Sequence, residues 1–312
     1  MKNKQATDTI LMIRPVNFRM NEQTAVNNYF QENINELQAT VNKKAQEEFD
    51  TFVGKLKAAG VHVIVVEDTM EPDTPDSIFP NNWISFHEDG QIGVYPMFAE
   101  NRRLERRDDV LERLEAEGLV IRNVMDYTAA EEENVFLEGT GSIVLDRENR
   151  KAYCALSPRA DEDLFIEFCE DFEYTPVIFY AYQTVKEERM LIYHTNVMMC
   201  VADKFAVICL DTIDDKKERK NVVTHLTNDG KEIIEISEAQ MHQFAGNMLQ
   251  VLGDNEKKYL VMSGAAHKAL TPAQIQQIEK YSEILSSPLD TIETCGGGSA
   301  RCMMAEVFLP KK

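Results

Sequence analysis

Apolar and polar positions follow a recurring order along this chain: an apolar strand-like run, a short polar turn, a second such run, then a stretch with helical spacing. This order occurs at residues 77–86 with 91–97, 136–145 with 151–156, 192–201 with 205–210, and 248–252 with 259–262. The first runs begin 59, 56 and 56 residues apart, an interval that marks one supersecondary unit used repeatedly. Apolar residues at three- and four-residue spacing predict helices over 101–117, 158–172 and 272–285, the last opening with Thr271-Pro272, a capping residue followed by proline at the first helical position. Helical spacing is weak after the third unit. Outside the units, the pattern predicts a strand at 9–14, a long helix at 39–59, a strand at 61–67 and a C-terminal strand at 302–309. If the two chain ends pair in one sheet, they complete a fifth unit and close a ring. The expectation is an α/β fold in a single domain, residues 1–312, with its centre as the natural pocket.

Composition supports a large core, with 312 residues of which 44% are hydrophobic. A formal net charge of −20 argues against nucleic acid or an anionic membrane as partner, because both are bound through clustered Lys and Arg. It suits small zwitterions or cations. No apolar run is long enough to span a bilayer, and the start Met1-Lys-Asn-Lys-Gln5 lacks the apolar core of a signal peptide, so a cytoplasmic location is expected. Six cysteines (154, 169, 200, 209, 295 and 302) lie far apart and form no Cys-x-x-Cys pair, which predicts reduced thiols. The charge runs at 131–133 and 214–220 read as solvated loops.

The chemistry concentrates in Gly296-Gly-Gly-Ser-Ala-Arg-Cys-Met-Met304. Glycines let a ligand approach the backbone, and Arg301 beside Cys302 is expected to favour the thiolate. On its own the stretch reads as well as a glycine-rich turn entering a buried strand, with the sulfur packed as a small hydrophobe. Partners elsewhere decide. Polar residues break the first apolar run of three units at equivalent places: Phe79-Pro-Asn-Asn-Trp83, Leu137-Glu-Gly-Thr-Gly141 and Tyr193-His-Thr-Asn196. A repeat of this kind aims its polar breaks at a shared centre, which singles out His194. His62, His87, His225, His242 and His267 lack that support and read as structural. No His-x-x-x-His or close Cys/His cluster suggests a metal, and Gly139-Thr-Gly141 lacks the third glycine of a dinucleotide fingerprint, so no cofactor is expected.

Taken in order, Met12-Ile-Arg-Pro-Val-Asn-Phe18, Pro75-Asp-Ser-Ile-Phe-Pro-Asn-Asn-Trp83, Asn101-Arg-Arg-Leu-Glu105, Leu137–Gly141, His194-Thr-Asn196 and the Cys302 segment resemble the guanidine-modifying, or pentein, superfamily. Within it, the sequence is most similar to the citrulline-utilisation hydrolases. The resemblance covers essentially the whole chain and implies a fivefold pseudosymmetric α/β propeller with a Cys–His mechanism at its centre. It implies Cys302 as nucleophile, His194 as general acid and base, and Glu138 as the acidic group that binds the reacting group or orients the histidine. Arg102, with Arg103 as the alternative, would grip the substrate carboxylate, and Arg147 would be a second such arginine. Asp76 would bind substrate N–H groups. Where relatives that process guanidinium place acidic residues, this chain has Asn81, Asn82 and Asn196. A guanidinium carries only donors and is best held by carboxylates, whereas a neutral ureido group presents a carbonyl oxygen that an amide satisfies. Citrulline is therefore the expected substrate. Arginine deiminase, dimethylarginine hydrolase and amidinotransferase stay open on the same scaffold, as do a noncatalytic arginine- or citrulline-binding protein and a homo-oligomeric state.

Overall fold

The computed structural model describes residues 4–34 and 36–312. The strands are β1 (Thr9–Arg14), β2 (His62–Glu67), β3 (Ile84–Phe86), β4 (Gln91–Val94), β5 (Asn123–Asp126), β6 (Ile143–Asp146), β7 (Lys151–Ala155), β8 (Thr175–Phe179), β9 (Tyr182–Val185), β10 (Glu188–Leu191), β11 (Met199–Val201), β12 (Phe205–Ile208), β13 (Glu232–Glu235), β14 (Leu249–Leu252), β15 (Lys258–Ser263), β16 (Glu283–Ser287) and β17 (Ala305–Glu306). They form the sheets β3-β4-β5, β6-β7-β8, β11-β12-β13, β14-β15-β16 and β17-β1-β2, plus the hairpin β9-β10. In each three-stranded sheet the first pair is antiparallel and the second parallel. The chain ends do pair, with Ile10 opposite Glu306 and Leu11 opposite Ala305, and so supply the fifth unit. First strands lie against one another across units, β17 against β3, β6 against β11 and β11 against β14. These strands are buried on both faces, which is why they read as continuous apolar runs.

The long helix α1 (Gln38–Ala58) forms where expected because Val41, Ala45, Phe49, Phe52 and Leu56 recur on one face and are buried there. The 101–117 prediction divides into a single turn, Glu100–Arg103, and α2 (Asp108–Ala116). Arg102 turns inward to chelate Glu105, and Arg107 is extended, bonding Glu67 O and Asp68 before the helix restarts on two acidic residues. The 158–172 prediction starts late, at α3 (Glu162–Asp171), because residues 157 and 160 form a tight bridge and Asp161 caps the helix through Leu164 N. After the third unit stands α4 (Lys216–Asn228), which carries only Val222 and Leu226 as buried residues and therefore gives little periodic signal. Helix α5 (Pro272–Glu279) has the expected Thr271 cap, completed by Gln274, but stops early, since 283–287 pairs with β15 as β16. Helix α6 (Asp290–Gly296) then leads into the Cys302 segment. The 302–309 strand shrinks to β17, because residues 299–304 form turns in which Ser299 O accepts from Cys302 N.

Candidate active site

The polar breaks lie immediately before the first strand of each sheet. Pro80–Asn82 precedes β3, Gly139–Ser142 precedes β6 and Thr195–Met198 precedes β11, each as a single helical turn, and the second turn touches both others. The glycines of the second turn make this approach feasible. At Gly139, φ is +44°, and a Cβ would strike the carbonyls of Asn81 and Asn82; at Gly141 it would strike the Asn82 amide and the His194 ring. Asn247, before β14, and Cys302, before β17, complete the set from the remaining two units.

These turns surround a small cavity of ≈ 10 Å³ lined by Asp76, Asn82, Arg102, Arg159, His194 and Cys302, together with Tyr193 and the three glycines Gly296, Gly297 and Gly298. Residues 24–31 close over it, with Asn28 Nδ2 donating to Gly297 O (3.2 Å) and Gln31 Nε2 to Gly296 O (3.0 Å). Larger open clefts lie on the surface, such as one of ≈ 430 Å³ beside Arg147 and Arg150, but the turns carrying Asn82, His194 and Cys302 converge on the small one.

His194 Nε2 lies 2.7 Å from Glu138 Oε2, and both side chains are buried. Burial lowers the His194 pKa to about 4, outweighing the hydrogen bond and charge of Glu138, with Arg159 and Arg102 adding to the depression. Burial alone would raise the Glu138 pKa, yet Arg159, the His194 hydrogen bond and Arg102 together hold it well below the ordinary carboxylate range. The stable pairing at neutral pH is thus a neutral imidazole whose Nε2–H donates to an ionised carboxylate, leaving Nδ1 as a proton acceptor. Phe98 N fixes the other Glu138 oxygen at 3.0 Å.

The Cys302 sulfur sits 3.2 Å from Asn247 Nδ2 and 3.5 Å from Asn196 Nδ2. Burial pushes the Cys169, Cys200 and Cys209 thiols up to about 12 and raises Cys295 as well, which keeps those four as inert thiols.

Residues 14–309 match the family model described as N,N dimethylarginine dimethylhydrolase, eukaryotic. The chain belongs to this dimethylarginine hydrolase family. No curated protein sequence matches it significantly. Among solved structures, an arginine dihydrolase of the ornithine–ammonia cycle in cyanobacteria aligns with a TM-score of 0.74 at 17% identity, over 97% of this chain and 41% of that one. The chain thus spans about two fifths of that relative. The N-terminal domain of the same enzyme, bound to substrate, aligns at 0.71 with 15% identity over 96% of this chain and 97% of that one. A dimethylarginine dimethylaminohydrolase variant carrying an S-methyl-L-thiocitrulline adduct aligns at 0.64 with 14% identity, over 96% and 98%. At these identities the likeness is one of fold: a mixed α/β pentein-type architecture.

In this dimethylarginine hydrolase family member, several residues stand elsewhere than the sequence suggests. Arg301 turns from the sulfur to Glu306 (2.9 Å) and Met304 O (2.9 Å), so it is not the cation beside the thiol. Arg147 follows β6 at the end away from Glu138; it lies over the Phe308 ring at 4.1 Å and 3.8 Å from Glu306, outside the cavity lining. Arg103 donates to Met97 O and pairs with Glu131, and Asn81 is sealed behind Asn82, accepting its Nδ2 at 3.0 Å. Arg102 does line the cavity, but its fork is closed on Glu105 (2.9 and 3.0 Å), and it donates to Asn82 Oδ1 (2.8 Å) and Phe79 O (3.2 Å). A second bidentate grip on a substrate carboxylate is therefore not available from it.

Three residues escaped the sequence reading. Arg159 lines the cavity, held by Asn27 Oδ1 (2.9 Å) and Thr24 O (2.9 Å) and 3.5 Å from Glu138. Glu105 is the partner that immobilises Arg102. Asn247 carried a signal, since it directly precedes the fourth unit's first strand, just as His194 opens the third. Asp76 accepts from Asn21 (2.8 Å) and Thr24 (3.1 Å) through Oδ2, while its buried Oδ1 has no hydrogen-bond partner among the described residues. Burial raises the Asp76 pKa against the pull of Arg102.

Proposed function

We propose that this chain is a cysteine-dependent hydrolase of a non-peptide C–N bond in a ureido amino acid, converting citrulline to ornithine, ammonia and carbon dioxide. One observation carries the reading: the groups at the sulfur and the adjoining turn are amides, Asn196 within 3.5 Å of Sγ and Asn82 in the cavity wall. A ureido oxygen accepts from amide N–H groups; a guanidinium offers them only further donors. In this reading the five sheets form a fivefold propeller in one domain, with the cavity at its centre.

Ureas are poor electrophiles, so the reaction needs a strong nucleophile and a protonated leaving nitrogen. His194, its Nε2–H held by Glu138, takes the Cys302 proton on Nδ1. The thiolate adds to the ureido carbon, and the C–N bond to the ornithine side chain breaks as His194 delivers that proton to the departing nitrogen. Water, deprotonated by His194, attacks the carbamoyl thioester; sulfur leaves as the thiol and carbamate decomposes to ammonia and carbon dioxide. Arg159 and the one uncommitted N–H of Arg102 attract the α-carboxylate, and Asp76 Oδ1 accepts from the α-ammonium.

A second reading has its own support. The unpaired Asp76 Oδ1 suits a guanidinium too, and the family and structural relatives are named for dimethylarginine and arginine. In that case expulsion of ammonia or a methylamine from the substrate would yield citrulline. Incubation with citrulline, arginine and dimethylarginine, with products identified by mass spectrometry, separates the two: ornithine and ammonia from citrulline support the first, citrulline accumulating from a guanidine supports the second. Cys302→Ser abolishes either reaction and Cys295→Ser neither; an inactive Cys295→Ser beside an active Cys302→Ser rejects both.

A further inference from the structure

Asn247 is fully buried, and each polar atom of its side chain is committed. Oδ1 accepts from Arg301 N at 3.0 Å, which fixes the orientation of the amide and assigns the other end as Nδ2. Nδ2 has two hydrogens and two acceptors in reach, Asn196 O at 3.0 Å and Cys302 Sγ at 3.2 Å. The second hydrogen has a good partner only if the sulfur accepts. A thiol sulfur is a weak acceptor and a thiolate a strong one, and a buried N–H left without a partner is costly. Asn196 faces the same sulfur from the opposite turn with both ends of its amide, Nδ2 at 3.5 Å, shared with Thr140 O, and Oδ1 at 3.8 Å, so Asn247 is the nearer donor, while the nearest cation in sequence, Arg301, is spent on Glu306.

We infer that Asn247 is a catalytic residue that donates its side-chain amide to the Cys302 sulfur and stabilises the negative charge the sulfur gains as His194 takes its proton, a task the sequence suggests for Arg301. Its backbone is placed for this. The turn before β14 packs Gly246 directly against Val197 O and Met198, so tightly that a Cβ would clash, and so seats Asn247 between the third and fifth units. The same donor stays with the sulfur after it bonds the substrate carbon and receives it again as the leaving group, lowering the barrier of both steps. The inference rests on Cys302 being the nucleophile.

The experiment reads the sulfur without substrate. Iodoacetamide labelling of Cys302, followed on its own peptide by mass spectrometry at about neutral pH, is compared in the unmutated protein, Asn247→Ala and Asn247→Asp, alongside thiolate ultraviolet absorbance. Asn247→Asp keeps the shape and the acceptor for Arg301 N but replaces the donor with a carboxylate. Labelling is expected to slow roughly tenfold or more in Asn247→Asp and several-fold in Asn247→Ala, with kcat falling in parallel and KM little changed, as loss of a hydrogen bond to a charged group implies. Folded variants labelled at the unmutated rate overturn the inference. If both variants fail to fold, NMR of the unmutated protein decides: the Asn247 side-chain amide protons shift as the thiol ionises if they donate to it, and stay in place if they do not. An active Cys302→Ser protein would instead reject the nucleophile assignment, whatever the labelling shows.

Discussion

His194 is kept neutral by burial while Glu138 keeps its charge, so the proposed base can accept a proton well below the pH at which an exposed histidine would protonate. The free-enzyme acid limb of kcat/KM is therefore predicted near pH 4 to 5, and a limb centred near 6.5 would contradict the neutral pairing. His194→Ala is expected to reduce kcat by roughly 10²–10⁴-fold, measured on protein shown to fold. Asn82→Asp tests substrate charge: the new carboxylate can still accept from Arg102, and it should lower the citrulline-to-arginine ratio of kcat/KM by roughly tenfold. An unchanged ratio would remove Asn82 from substrate selection. At this scale the sequence pointed to His194, Glu138 and Asn196 because each sits in a turn that interrupts an apolar run, to Cys302 through its glycine-rich segment, and to Asp76 through the family resemblance. It misjudged Arg147 and Arg301, since spacing along the chain does not say on which end of a strand a side chain falls or which carboxylate claims it.

Among the elements, α6 couples a buried acid to the Cys302 segment. Ser299 Oγ donates to Glu293 Oε1 at 2.5 Å, and Ser299 O accepts from Cys302 N at 3.0 Å. Burial raises the Glu293 pKa to about 7, opposed by the hydroxyls of Ser263 and Ser299 and reinforced by the charges of Asp290 and Glu48. A carboxyl whose folded pKa lies above its unfolded one contributes stability at low pH that is lost as pH rises from about 4.5 through 7. Glu293→Gln should remove that loss, leaving the variant more stable than the unmutated protein at neutral pH by on the order of 2–3 kcal/mol in denaturant unfolding. Equal pH dependence in both proteins would exclude it. In α1, Phe52→Ala should cost about 3–5 kcal/mol through the cavity it leaves. Helix α1 was legible because its buried stripe is regular. Of the third strands only β2 was legible: β5, for one, is mostly exposed and four residues long, too short and too polar for a periodic signal.

Across the whole molecule, repetition organises both the fold and the site. Five three-stranded sheets share one strand pattern, the turns before β3, β11 and β17 reach a common cavity through Asn82, His194 and Cys302, and the pairing of β17 with β1 brings Cys302 from the far end of the chain to His194. The interval of 56 to 59 residues revealed the repeated unit before any contact was known. What it could not reveal was which turn residue faces the centre, a matter of local backbone geometry such as the left-handed Phe244, at φ 59°, that sets up Asn247. The amide-rich centre is the reason for assigning a neutral substrate to a fold whose relatives are named for guanidines. The most direct test measures kcat/KM for citrulline and for arginine on one preparation, by release of ornithine and of citrulline. The account predicts that citrulline is preferred and that ornithine and ammonia form in equal amounts; a marked preference for arginine with citrulline as the end product would contradict it.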